Sequence, residues 1–148
     1  AKINLESEIK SLLERGFVSK EQCEVLNRMQ ITTFLKSNLC ERILASKNVS
    51  REFRFAMNIN AFEVVFDIKP EFSNEKIMLQ GAIDCVFEEK DNLIVVDYKT
   101  DKIISSETLK KQYAQQLELY ARALRECTGK IVKEKVLYSF YTGTQIFL

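Results

Sequence analysis

Apolar residues recur at helical spacing through the first fifty positions. Leu5, Ile9, Leu12 and Leu13 fall on one stripe, and Gly16 is placed to end that helix. Ser19 with Gln22 has the form of a capping box and predicts a second helix through Leu26 and Met29. Phe34, Leu35, Leu39, Ile43 and Leu44 continue the pattern, with a break near Ser37 and Asn38. At Ser50 the period changes. Arg51 to Met57 alternates charged and apolar side chains, which predicts a strand, and Asn58-Ile59-Asn60 reads as a turn before a further strand at Val64-Val65-Phe66. Pro70 to Glu75 predicts a loop leading into a strand that begins near Lys76.

The centre of the chain predicts a hairpin. Gly81 to Phe87 and Leu93 to Lys99 are rich in β-branched and aromatic residues, with Asp91-Asn92 where a tight turn belongs. Such a loop would pair Lys90 with Leu93, Val86 with Asp97 and Asp84 with Lys99. Side chains alternate along strands, so Asp84, Asp97 and Lys99 would gather on one polar face. Ile83, Cys85, Phe87, Ile94, Val96 and Tyr98 would form a core on the other, whereas a three-residue loop would disperse the charged cluster. Beyond Lys99, Ser105 or Ser106 caps a long helix running to Cys127 and stopped by Gly129. Its buried stripe is Leu109, Tyr113, Leu117, Tyr120 and Leu124, and Gln116 stands one turn from Tyr120. Ile131 to Tyr141, a turn at Thr142-Gly143-Thr144 and Gln145 to Leu148 make a closing pair of edge strands. The order predicts a single α+β domain over 1–148, with 1–49 helical and 50–148 carrying the sheet.

Composition narrows the chemistry. With 148 residues, 46% hydrophobic and 29% charged, the chain suits a globular fold with a sizeable core. A net charge of +1 excludes a global basic field, so any nucleic-acid contact must be local. The absence of histidine excludes a Ser-His-Asp triad and a histidine-bound metal within these residues, and four glycines leave no Gly-rich phosphate loop. The four cysteines are scattered without a CxxC pair, which argues against zinc or iron–sulfur sites and suits reduced thiols in a cytoplasmic protein. No apolar run is long enough to span a membrane. The sequence begins at Ala1 without an initiating Met, which suggests a piece of something longer.

The Asp84, Asp97 and Lys99 cluster has two readings. As a cross-strand ion pair it would be worth under ~1 kcal/mol if exposed. As a cation site, Asp84 and Asp97 would supply two hard oxygen ligands for Mg²⁺ or Mn²⁺, with the backbone carbonyl of Tyr98 and waters completing the shell. Lys99 would then reach the same point to orient an attacking water and to stabilise charge on a phosphoryl group. The reaction so implied is in-line hydrolysis of a phosphodiester.

The order of these residues resembles the D…(D/E)xK pattern of the PD-(D/E)xK nucleases. Gly81-x-Ile83-Asp84, then Val96-Asp97-Tyr98-Lys99-Thr100-Asp101, then Gln116-x-x-x-Tyr120 is similar to the RecB-like branch, and Arg51 to Phe55 resembles the Glu-bearing strand before its first aspartate. Asp84 to Glu89 and Lys133 to Tyr138 also resemble the C-terminal nuclease domains of bacterial helicase–nucleases of the AddAB type. The resemblance implies a restriction-endonuclease-like fold, a central mixed sheet flanked by helices. It implies Asp84 and Asp97 as metal ligands, Lys99 as the catalytic lysine, Gln116 and Tyr120 as active-site or DNA-positioning residues, Glu52 as an auxiliary acid and Thr100 as a phosphate contact. The substrate implied is the single DNA strand emerging from an ATP-driven helicase that works with a partner of the AddB type in double-strand-break repair and recombination. One departure stands out: the family supplies a histidine ligand from an upstream helix, and this chain has none, which implies weak cleavage by these residues alone. An inactive DNA-binding or subunit-interaction module, a stand-alone phage-type exonuclease and a merely solvated charged face remain alternatives.

Overall fold

A computed structural model of the chain describes residues 4–64, 69–72 and 74–148. Four short helices come first: α1 (Leu5–Glu14), α2 (Lys20–Val25), α3 (Arg28–Leu35) and α4 (Asn38–Ala45). Each starts where a polar side chain accepts a free backbone N–H: Asn4 from Ser7, Ser19 from Gln22, Asn27 from Gln30 and Ser37 from Cys40. The box between Ser19 and Gln22 closes in both directions. Gly16 ends α1 in the left-handed region, with its N–H on the Leu13 carbonyl and that of Phe17 on Leu12. The second expected helix is shorter than its periodicity predicts. Leu26 turns extended and Asn27 caps a new helix, so Met29 falls in the first turn of α3 and lies in solvent.

The strands are β1 (Val49–Asn60), β2 (Lys76–Glu89), β3 (Asn92–Lys99), β4 (Val132–Ser139) and β5 (Thr144–Phe147), with α5 (Ser106–Thr128) between β3 and β4. They form one sheet in the order β1-β2-β3-β4-β5. Neighbours are antiparallel except β3 and β4, which run parallel across the α5 crossover. Leu109, Leu117, Tyr120 and Leu124 of α5 pack on one face, against Phe55, Ile83, Val86 and Val95. Phe34, Leu39 and Ile43 of α3 and α4 pack on the other, against Cys85, Phe87, Val96 and Tyr138. The architecture is α+β, a mixed sheet flanked by helices. Among the described residues no helix is long and apolar enough to cross a membrane.

Several local expectations need correction. Asn58-Ile59-Asn60 is not a turn: Ile59 continues the alternation of Phe55 and Met57 and is buried, while Asn58 and Asn60 pair with Met78 and Lys76. The chain turns one step later, in a 3-10 turn at Ala61–Glu63 that Val64 ends. Val65 and Phe66, expected in a strand, lie outside the described residues. The hairpin loop is Lys90-Asp91, both with positive φ (47° and 64°), so Glu89 pairs with Asn92 and Val86 with Val95. The expected register is therefore off by two residues. An even slip leaves every side chain on its face, and the charged cluster survives. That face is not a polar one, however, since Val86, Leu93 and Val95 sit in the core beneath α5. Nor is β4 an edge strand; it lies between β3 and β5.

Candidate active site

The alternation of β2 breaks at Asp84. The ladder to β1 pairs Phe53 with Ile83 and Arg51 with Cys85 but skips Glu52 and Asp84 between them, and Glu52 takes a left-handed φ of 52°. Ile83 consequently packs beneath α5 while Cys85 packs beneath α4, although the sequence places them on one face. On its other side β2 stops bridging β3 at Cys85 and Val96. Asp84 is thus free of both ladders, and its Oδ2 accepts the Tyr98 N–H at 2.8 Å. A side chain stitches the strands where the backbone does not.

Asp97 stands across from this gap and is only 3% exposed. Lys99 Nζ lies 2.6 Å from Asp97 Oδ2 as an ion pair, and among the described residues no hydrogen bond of good geometry reaches that buried oxygen. Burial pushes the Asp97 carboxyl above the ordinary aspartate range, against the pull of the Lys99 ammonium. Lys99 Nζ donates instead to Gln116 Oε1 at 3.2 Å, and Gln116 Nε2 donates to Tyr120 Oη at 2.8 Å. Burial first, and the Asp97 charge next, keep the Tyr120 phenol protonated by pushing it up. The ring of Tyr113 covers the ammonium at 3.8 Å to its centroid. A chain of contacts therefore runs from Asp97 through Lys99 and Gln116 to Tyr120.

Gly81 has a packing reason. A Cβ there would lie 2.7 Å from Phe55 Cζ, so glycine admits the Phe55 ring, which in turn meets Tyr120 edge-on at 5.8 Å. The second turn of the Gln116–Tyr120 face is seated by this contact.

Of the expected site residues, the structure brings Asp97, Lys99, Gln116 and Tyr120 into direct contact and sets Asp84 beside them on the facing strand. Glu52 stands apart from that chain of contacts. It lines a cleft of about 490 Å³ with Arg51, Asp84 and Tyr98. Tyr98 is tied to Asp84 through its N–H, and its ring packs on the opposite side of the sheet against Phe34 and Phe140. Thr100 is exposed just past the end of β3. The larger cavity of about 910 Å³ lies far from this chemistry, among Leu5, Thr32, Leu35 and Leu44 of the amino-terminal helices. Two residues that hold Lys99 escape a reading of the sequence alone: Tyr113, which falls there on the buried stripe, and Asp101, which accepts the Tyr113 hydroxyl at 3.0 Å. A signal is present, since Tyr113, Gln116 and Tyr120 recur at the spacing of one helix face.

Among the described residues no group of three or more acidic, cysteine or histidine side chains converges as a metal cage. What the fold offers is two carboxylates on facing strands that feel each other's charge, one with a buried oxygen that meets the Lys99 ammonium as an ion pair and has no hydrogen bond among the described residues. That donor set fits a small hard divalent cation, which commonly takes one or two carboxylates and fills its shell with water and substrate phosphate.

Known proteins match nearly the whole of the chain. The family model of the PD-(D/E)XK nuclease superfamily covers residues 2–146. The A-subunit of the ATP-dependent helicase/nuclease of Thermoanaerobacter sp. (strain X514) is 43% identical over 141 residues, 94% of this chain and 11% of that protein. The protein of the same name from Clostridium novyi (strain NT) is 40% identical over 146 residues, 97% of this chain and 12% of its own length. That from Clostridium botulinum (strain Hall) is 41% identical over 144 residues, again 97% of this chain and 11% of the relative. The chain thus spans about a ninth of the length of the curated relatives it matches. With a sheet broken open at Asp84, a buried Asp97 and a lysine two residues on, it belongs to the PD-(D/E)XK nuclease superfamily.

Proposed function

We propose that this chain is the nuclease domain of a larger helicase–nuclease and hydrolyses DNA phosphodiesters with Mg²⁺ or Mn²⁺ held by Asp84 and Asp97. The observation that carries the reading is Asp97 Oδ2, a buried carboxylate oxygen with no aligned donor among the described residues, opposite a second carboxylate that is free of the sheet ladder. When bound, the cation would supply Lewis-acid activation of the phosphoryl group and of a water. Lys99 Nζ, anchored by Gln116 Oε1, donates to a non-bridging phosphoryl oxygen and stabilises charge as it builds there. The Lys99 ammonium, which only donates, selects the Gln116 oxygen, and Tyr120 Oη accepts from the amide nitrogen left on the other side. Glu52, across the cleft from Asp84, is an auxiliary acid that attracts a cation to the open side.

The names of the relatives support the wider setting. In this reading the parent protein unwinds DNA ends with ATP in the bacterial cytoplasm, the emerging single strand reaches the site, and a second protein completes the complex for recombinational repair. The 148-residue chain by itself is expected to cut weakly, because it has no histidine to add to its two carboxylates.

Alanine at Asp97 in the intact polypeptide tests the assignment, with labelled single-stranded DNA and a separate unwinding assay. Lost cutting with retained unwinding is the expected result. Undiminished cutting would transfer the case to a DNA-binding or subunit-contact module.

A further inference from the structure

We propose that Tyr113, anchored by Asp101, is a positioning residue that sets where the Lys99 ammonium stands; this rests on the reading of Lys99 as the phosphate-facing cation. A lysine carries its charge on a flexible four-carbon stem, so something must choose among its positions. Here the side chain is only 15% exposed and three groups surround its tip: Asp97 Oδ2 at 2.6 Å, Gln116 Oε1 at 3.2 Å and the Tyr113 ring at 3.8 Å. The first two pull the ammonium toward a buried carboxylate oxygen and a partly buried amide oxygen. The electron-rich ring face attracts it from another side and closes off the solvent.

The ring is itself held. Tyr113 Oη donates to Asp101 Oδ2 at 3.0 Å and accepts from Gln112 Nε2 at 3.1 Å. Asp101 lies two residues beyond Lys99 in the same segment, so the backbone that carries the lysine also holds the far end of the ring beneath it. Burial and the Asp101 carboxylate both push the Tyr113 phenol up, which keeps the donating proton in place. A residue that merely filled the edge of the core would need neither the hydroxyl contact nor a ring centred on a charge.

The test uses the intact polypeptide and two readouts. In single-strand cleavage, Tyr113→Leu is expected to lower kcat about tenfold with KM within about twofold, while Tyr113→Phe, which keeps the ring, retains most of kcat. Asp101→Ala is expected to match Tyr113→Phe, and the double variant to be no worse than either, because both remove one contact. The second readout needs no metal and no turnover: acylation of lysines by an amine-reactive ester, followed by peptide mass spectrometry. Lys99 should be acylated several-fold faster in Tyr113→Leu than in the wild type, with Lys110 and Lys111 unchanged as reporters of an intact α5. Wild-type acylation of Lys99 in Tyr113→Leu, or a Phe variant as impaired as the Leu variant in kcat, would overturn the proposal. Full cutting by Lys99→Ala would instead sink the nuclease mechanism while leaving the acylation result to judge Tyr113.

Discussion

The two ends of the β2–β3 hairpin are made of the same strands and treat carboxylates in opposite ways. At the closed end, beside the Lys90-Asp91 turn, Glu88, Glu89 and Glu134 all have aligned partners. Arg42 forks onto Glu89 with two hydrogen bonds of 2.8 Å and reaches Glu134 at 2.9 Å, while Lys130 meets Glu88 at 2.7 Å. Hydrogen bonds from Arg42 hold the Glu89 carboxyl below its usual range, and those from Lys130 and Asn48 do the same for Glu88. At the open end the Asp97 carboxyl is pushed up, and among the described residues one of its oxygens is buried without an aligned donor. One end has its carboxylates hydrogen-bonded as well as charge-paired; at the other Asp97 has the Lys99 ammonium beside it but one buried oxygen without a hydrogen bond among the described residues. In the proposed function, side chains of one chemical type thus serve stability or catalysis according to whether their pairing is finished within the chain.

The largest expected effect lies at the open end. Asp97→Asn should lower DNA cleavage about a thousandfold or more, the scale of losing several kcal/mol of cation and charge stabilisation, measured as single-turnover cutting in Mg²⁺. Arg42→Met should do the reverse at the closed end. It strands two carboxylates and should cost about 1–2 kcal/mol in denaturant unfolding, discounted because the cluster is partly exposed, with kcat unchanged.

Gly81→Ala tests the bridge between packing and site. The added methyl meets the Phe55 ring at 2.7 Å, and overpacking of this kind costs about 1–3 kcal/mol, here with a lower kcat because Tyr120 rests on that ring.

The smallest effect sharpens the comparison by its sign. A carboxyl whose pKa is raised on folding binds protons more tightly in the native state, so its ionisation lowers stability, fully above the raised value and not at all below the unfolded one. Without divalent cations Asp97→Asn should therefore melt higher than the wild type at neutral pH. The gap should narrow as pH falls through the raised Asp97 value and close below the ordinary aspartate range. Glu88 and Glu89 have the opposite sign: their pairing stabilises above the unfolded carboxylate pKa and is lost as pH falls through their depressed values. Adding Mg²⁺ should raise the wild-type melting point and leave that of Asp97→Asn unmoved.

Much of this is legible in the sequence, and the misses have definite causes. The helix starts can be read because their caps are local, from Ser19 and Gln22 to Ser105 accepting the Thr108 N–H. The hairpin register is misjudged because Asn92 suits a turn by residue type, whereas the structure gives the left-handed positions to Lys90 and Asp91. The charged cluster is found nonetheless, because a slip of two preserves parity. The inversion at Asp84 has no local signal: nothing in Arg51-Glu52-Phe53 announces a left-handed glutamate, and the break follows from the pairing of two distant strands. Lys99's aromatic cover is missed for a related reason, since a tyrosine on an apolar stripe reads the same whether its ring meets leucine or a cation.

The switch of faces at Asp84 also marks where the sheet passes from one-sided to two-sided cover. On the Lys76 side of β2, Met78, Gln80 and Ala82 lie open to solvent beside Arg54, Ala56 and Asn58 of β1; on the other, Cys85 and Phe87 are sealed. A seam between bare and clothed sheet is the place where an extended polymer can come level with a strand's own backbone without unzipping any pair. Asp84, the first of the two proposed metal ligands, is sewn into that border.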